Sequence, residues 1–237
     1  VSVVGWGLAA QPLLAVTGVV VALATGDRAR QRLAPAVSVL LGLAGVVTGA
    51  AAWSGGGGAV VVGTALPQVR LGYAPDRLGG AFLVLVGAVT VVAALWATSG
   101  ARGPGGSRTA WAAFPVFVAG LLAVMSAADV VAFLLAWEVM AVASTVLVLV
   151  DHARRPQVVG AGLWYAGMTQ LSFLLVLAGF AVLAAAAGGT GFDALARVDP
   201  DGGPAALGVG LLVVGFAAKA GAVPLHDWLP RAHPEAP

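Results

Sequence analysis

The chain of 237 residues contains no cysteine. That absence excludes disulfides, thiolate-held iron–sulfur clusters and a cysteine nucleophile. Any redox chemistry it serves must pass its electrons through a partner, and no cofactor is expected in this chain. Charge is also scarce: 9% of residues are Asp, Glu, Lys or Arg, against about a quarter in soluble globular domains. Hydrophobic residues make up 60%, and mean hydropathy is +0.98. A chain this apolar cannot cover its surface with polar atoms, so the solvent for most of it is lipid. The formal net charge is +2, but the arginines are scattered through short loops rather than gathered into a phosphate-binding patch. No nucleic-acid partner is expected. No basic stretch precedes the first apolar run, which argues against a cleaved signal peptide. The first residue is Val1, and the expectation is an alternative start codon or a start inside a longer protein.

Seven apolar segments have spanning length: Val3–Thr25, Leu33–Trp53, Leu78–Thr98, Trp111–Ala127, Val130–Val150, Val158–Ala187 and Ala205–Leu225. They predict an all-α, polytopic transmembrane bundle of about seven helices. The fourth and fifth segments are separated only at Ser126–Asp129, and the sixth is long enough to tilt or to extend past the lipid. Glycine- and proline-rich stretches at Ser54–Gly58, Ala101–Arg108, Gly188–Gly191 and Asp199–Pro204 read as loops. Neither GGGG nor the GVG at Gly208–Gly210 has the strand-and-lysine context of a phosphate loop. Flexible loop and close helix packing account for them better. The chain divides into an N-terminal three-helix region, 1–108, and a second region, 109–237, that holds the fourth to seventh helices.

The arginines predict orientation. Arg28, Arg30, Arg32, Arg102, Arg108, Arg154, Arg155 and Arg231 fall on one side of the seven spans, while Arg70, Arg77 and Arg197 fall on the other. The first side is then cytoplasmic, with the N-terminus outside.

Two ionisable residues lie well inside the spans: Glu138 in FLLAWEVMAVAST and Lys219 in GFAAKAGAVP. A charge at the bilayer centre costs about 3 kcal/mol on insertion scales, so it faces a bundle interior or water and marks an ion pathway by default. Lys219 is the single lysine among twelve basic residues. Arginine cannot release its proton in a protein, whereas a buried lysine can. A Glu138–Lys219 couple in which each charge sets the protonation of the other is one reading. A structural ion pair that joins helices is the other.

Gly215, Gly221 and Pro224 flank Lys219 and predict a discontinuous seventh helix. An interruption beside an intramembrane charge is tolerated only along a hydrated cavity. Thr145 follows Glu138 by seven residues and shares its face. Tyr165 and Gln170 add polar groups to the sixth helix, either as a relay or as interhelical hydrogen-bonding groups. His226 can pass protons near neutral pH or simply cap a helix end. Asp227, His233 and Glu235 lack regular metal-ligand spacing. With no nucleophile motif either, an intramembrane enzyme built on His226 or Asp227 has little behind it.

AWEVMAVAS around Glu138 and KAGAVPLHDWLPRAHPEAP from Lys219 resemble the two signature segments of the antiporter-like, proton-translocating membrane subunits. That family comprises the large membrane subunits of complex I (NADH–quinone oxidoreductase), the Mrp cation/proton antiporters and the membrane hydrogenases. The ending WLPRAHPEAP is most similar to the hydrogenase-4 component B and formate hydrogenlyase subunit 3 branch. PDRLGGAFLVLVG and WYAGMTQLSFLLVLAGF resemble the family less distinctively.

The resemblance implies that Glu138 is the glutamate that tunes the lysine, Lys219 the proton carrier on a broken helix, and His226 the histidine of the family's PLHxWLP segment. Hydrogenase-type members often carry Thr-His where this chain has Thr169-Gln170, so position 170 offers no titratable group. It further implies about fourteen helices in the whole protein, with a second inverted repeat, of which this chain would be the N-terminal part. Other membrane subunits of a multi-subunit complex, H⁺ (or Na⁺) and the lipid of a prokaryotic plasma (inner) membrane are the implied partners and setting.

Overall fold

The computed structural model describes residues 2–63, 70–98, 107–153, 155–199 and 202–236. Among these residues, seven helices are long and apolar enough to cross a membrane: α1 (Val3–Ala24), α2 (Asp27–Trp53), α3 (Arg77–Thr98), α4 (Arg108–Ser126), α5 (Val130–Val148), α6 (Gln157–Ala187) and α8 (Gly203–Ala220). A single turn, α7 (Phe192–Leu195), precedes α8, and another, α9 (Leu229–Ala232), follows it. The all-α bundle expected from composition is what the chain builds. Large apolar side chains such as Trp6, Leu13, Val16 and Val20 on α1 point outward, as they must where the solvent is hydrocarbon.

Small residues let the helices approach closely. A Cβ at Gly42 of α2 would lie 2.7 Å from the Gly87 carbonyl oxygen of α3, and one at Gly179 of α6 would lie 2.8 Å from that of Gly208 on α8. Gly208 therefore serves helix packing, one of the two readings given to its GVG motif. Ala15, Leu41, Leu83, Val118 and Leu122 form the core of the α1–α4 region.

Two boundaries differ from expectation and one is as expected. The second helix begins at Asp27 rather than Leu33, so Arg28, Arg30 and Arg32 lie on its first turns. Arg30 is buried there, bonded to Asp27 and to the Thr25 carbonyl. The seventh spanning helix ends at Ala220, five residues before Leu225. As expected from the break at Ser126–Asp129, α4 and α5 are separate helices: Asp129 caps α5, its Oδ1 accepting from the Ala132 N–H at 2.8 Å. Arg102 and Arg154, used in the orientation count, lie outside the described residues, as do most of the loop 101–108 and positions 200 and 201.

The sequence reading had no counterpart for a small antiparallel hairpin, β1 (Val60–Gly63) with β2 (Arg70–Tyr73), paired Val60 to Tyr73. It docks on the α4–α5 junction. The Ala128 N–H donates to the Gly72 carbonyl at 2.9 Å and the Ala74 N–H to that of Ser126 at 2.8 Å. Asp129 Oδ2 accepts from the Gly72 N–H at 2.6 Å. On its other edge, Val130 donates to the Thr190 carbonyl at 2.9 Å. The α4–α5 junction thus ties the hairpin to the α6–α7 turn. Burial raises the Tyr73 phenol above its ordinary pKa, and the Asp129 carboxylate raises it further.

Candidate functional site

Lys219 occupies the last turn of α8, where the helix stops. The Gly221 N–H donates to the Ala218 carbonyl at 3.2 Å and the Ala222 N–H to that of Ala217 at 2.9 Å. This is the Schellman pattern, which consumes carbonyls left open at a helix end. Gly221 holds φ +70°, and a Cβ there would strike Leu229. The left-handed backbone is what calls for glycine at this position. The chain then turns back. Trp228 donates its indole N–H to the Ala218 carbonyl at 2.9 Å and packs on Tyr165 at 5.3 Å between ring centroids.

The ammonium of Lys219 meets α6 and α5. Its Nζ donates to Tyr165 Oη at 3.3 Å. The same Nζ lies 5.2 Å from the Tyr165 ring centroid and 5.9 Å from that of Trp137, both within cation–π range. Tyr165 Oη and Ser144 Oγ are 2.7 Å apart, and Ser144 donates to the Ala141 carbonyl at 2.8 Å. With the Ser144 proton committed to that carbonyl, Tyr165 must donate to Ser144. The bonds then run in one direction, from Lys219 through Tyr165 and Ser144 to the Ala141 carbonyl.

Glu138 sits elsewhere on α5. Its Oε1 accepts from Gln170 Nε2 at 2.7 Å, and its Oε2 is buried without a hydrogen-bond partner. Glu138 borders a groove of about 580 Å³ that Val19 of α1, Ala113 and Val116 of α4, and Val142 and Val146 of α5 also line. No ion pair joins Glu138 to Lys219 among the described residues. The next residue back from Glu138, Trp137, presents its ring to the ammonium from α5.

Of the residues singled out from sequence, Lys219 and Tyr165 meet directly, and so do Glu138 and Gln170. Thr145 donates to the Ala141 carbonyl at 2.9 Å, so its hydroxyl is bound within its own helix. His226 is exposed in the turn after α8, with its carbonyl accepting from the Leu229 N–H. The sequence reading passed over Ser144, one residue before Thr145, and Trp137, one before Glu138. Their signal was present only as neighbours of the residues chosen. Among the described residues, no group of three His, Cys, Asp or Glu side chains could hold a metal ion.

Residues 127–237, which contain Glu138, Ser144, Tyr165, Gln170 and Lys219, match the family model described as NADH:quinone oxidoreductase/Mrp antiporter, transmembrane. Over those residues the chain carries the segment that marks this family of antiporter-like membrane subunits. An uncharacterised protein of Mycobacterium tuberculosis is 50% identical over 197 residues, covering 83% of this chain and 30% of the relative. Hydrogenase-4 component B of Escherichia coli is 28% identical over 164 residues, 68% of this chain and 24% of that protein. The chain therefore spans less than a third of either relative's length. A chain of the Mrp complex from Dietzia sp. DQ12-45-1b shares the fold, with a TM-score of 0.78 at 24% identity over 95% of this chain and 42% of that one.

Proposed function

We propose that this antiporter-like subunit works within a multi-subunit respiratory or hydrogenase-type complex of a prokaryotic inner membrane, and that Lys219 carries protons in it. The observation that supports this most is the placement of a lone lysine at a capped helix break, bonded to a buried phenol. Arginine in that place would hold charge but never release a proton. In this reading the redox energy and any cofactor reside in partners. Glu138 acts on Lys219 across the Trp137 position rather than by contact, its shifts changing the field at the ammonium. His226, exposed at the mouth of the break, stands where protons enter. Thr145, with its hydroxyl turned to the backbone, contributes least. An Mrp-type exchange of Na⁺ for H⁺ at the same lysine is the neighbouring possibility within the family.

The half-exposed Glu138–Gln170 pair supports membrane partners. An acid at this depth in a spanning helix is not left against lipid, so another helix or a hydrated cavity covers that face.

A second reading has its own observation. The bonds from Lys219 end on a backbone carbonyl, as they would in a fixed strut. In that case the subunit is a non-conducting scaffold. Proton pumping by the assembled complex separates the two. Loss of pumping with Lys219→Ala, in a complex that still assembles, is expected; unchanged stoichiometry would falsify the transport reading.

A further inference from the structure

At the helix break a single side chain holds both ends of the lysine's hydrogen bond. The Trp228 indole N–H donates to the carbonyl of Ala218, the residue before Lys219, at 2.9 Å. The indole ring packs on Tyr165, which accepts from Lys219 Nζ, with ring centroids 5.3 Å apart. Trp228, Tyr165 and Ala218 are all buried. One turn earlier, α8 meets α6 without an intermediary: Ser172 Oγ donates to the Gly215 carbonyl at 2.7 Å. Beyond Ala220 the helix has stopped, so the segment that folds back makes the contact instead.

That segment is itself fastened to α6. Val148, Tyr165, Trp228 and Ala232 form one buried cluster, with Met168 and Leu229 packed against it. Arg231 lies over the Trp164 ring at 4.9 Å, and Arg155, just before α6, has its Nη2 2.7 Å from Glu235 Oε2. Both arginines are about half exposed, and exposed ion pairs contribute little. The buried indole, with a hydrogen bond on one helix and a ring contact on the other, is the fastening whose loss costs most.

We propose that Trp228 is a positioning residue for Lys219, setting the distance between the ammonium and the Tyr165 phenol. It acts through Tyr165 and through the Ala218 carbonyl. The Lys219–Tyr165 bond is 3.3 Å long, just past the usual range of about 2.7–3.2 Å. A displacement of a few tenths of an ångström at either end breaks it. The consequence for pumping rests on the transport reading, because this bond matters to protons only where Lys219 carries them.

Trp228→Phe keeps a ring beside Tyr165 and removes the donor to Ala218. Its complex is measured in two ways. Hydrogen exchange at the Gly221 and Ala222 amides, which close the end of α8, should quicken at least about tenfold. Proton pumping at normal complex abundance should fall about tenfold. Trp228→Phe combined with Tyr165→Phe should pump within about twofold of the weaker single variant, since both act through one bond. Exchange at the parent rate, pumping at the parent rate, or single losses that multiply to about a hundredfold would each overturn the proposal. If Trp228→Phe does not accumulate, a tryptophan analogue with sulfur in place of the indole N–H, installed at position 228, is read in the same way. A complex that still pumps with Lys219→Ala removes the transport reading; the exchange rates then decide the positioning role by themselves.

Discussion

Lys219 and Tyr165 are joined across α8 and α6 by a hydrogen bond of 3.3 Å, and the phenol continues to Ser144 at 2.7 Å. Among the described residues, the phenol thus links the lysine to α5 by hydrogen bonds. Tyr165→Phe keeps the ring, its packing on Trp228 and its place against the ammonium, and removes only the hydroxyl. A hydrogen bond to a charged group contributes about 1.5–3 kcal/mol. Proton pumping by the assembled complex should fall about tenfold or more, with little change in the amount of complex. Pumping at the parent rate would place Tyr165 outside the path.

The backbone at the break makes a separate demand. Gly221 is left-handed and abuts Leu229, so Gly221→Ala strains the backbone and displaces Leu229 together. The expected cost is roughly 1–3 kcal/mol, read as a lower melting temperature of the detergent-solubilised protein. Ala222→Gly, at the neighbouring position, needs no left-handed residue and should leave that temperature within about 2 °C.

How much of this was legible beforehand follows from the range of each signal. Span positions were, because about twenty apolar residues in a row leave little choice in lipid. The early start of α2 was hidden because Asp27 and the following arginines look like a loop, although acids suit a first helical turn. The end of α8 depended on Gly221 adopting a left-handed cap, which competes with four more apolar residues in sequence. The hairpin escaped notice because VVVG is only four residues long and isolated from a hydrophobic pattern. Glu138 and Lys219 stood out as costly charges, yet sequence cannot say which faces of α5 and α8 meet. Trp137, not Glu138, takes the position facing Lys219. Ser144 rather than Thr145 meets Tyr165 for the same reason: adjacent residues on a helix point about 100° apart.

Asp129 holds two elements at once, capping α5 through Ala132 and receiving the Gly72 N–H of the hairpin. Asp129→Ala removes both acceptors. The cap alone is worth about 0.5–2 kcal/mol. Hydrogen exchange at the Gly72 amide should quicken at least about tenfold, ahead of any change at α1 or α2. Exchange at Gly72 equal to the parent's would show that backbone pairing alone holds the hairpin.

Tyr73 gives this junction a pH dependence. Its pKa is raised by burial and then by Asp129, so folding favours the neutral phenol. That contribution is fully present below the unfolded value of about 10 and is lost as pH rises through the higher folded value. The hairpin should therefore loosen only above about pH 10, followed as phenolate absorbance that disappears with Tyr73→Phe. Asp129→Asn removes the negative neighbour and should shift the Tyr73 titration downward. An unmoved titration would leave burial as the whole cause.

Glu138 and Gln170 provide the sharpest division between transport and scaffold. Glu138→Gln keeps a side-chain oxygen where Gln170 donates its 2.7 Å bond, so helix contacts and assembly should survive. The charge is gone. If Glu138 acts through its field on Lys219, loss of one unit charge from the residue next to Trp137 alters the lysine's proton affinity, and pumping should drop about tenfold or more. If the pair only joins α5 to α6, pumping should persist, and Glu138→Gln combined with Lys219→Met should preserve coupling as well. The scaffold reading therefore requires both variants to pump normally, whereas the transport reading requires each to be impaired in a complex of normal abundance.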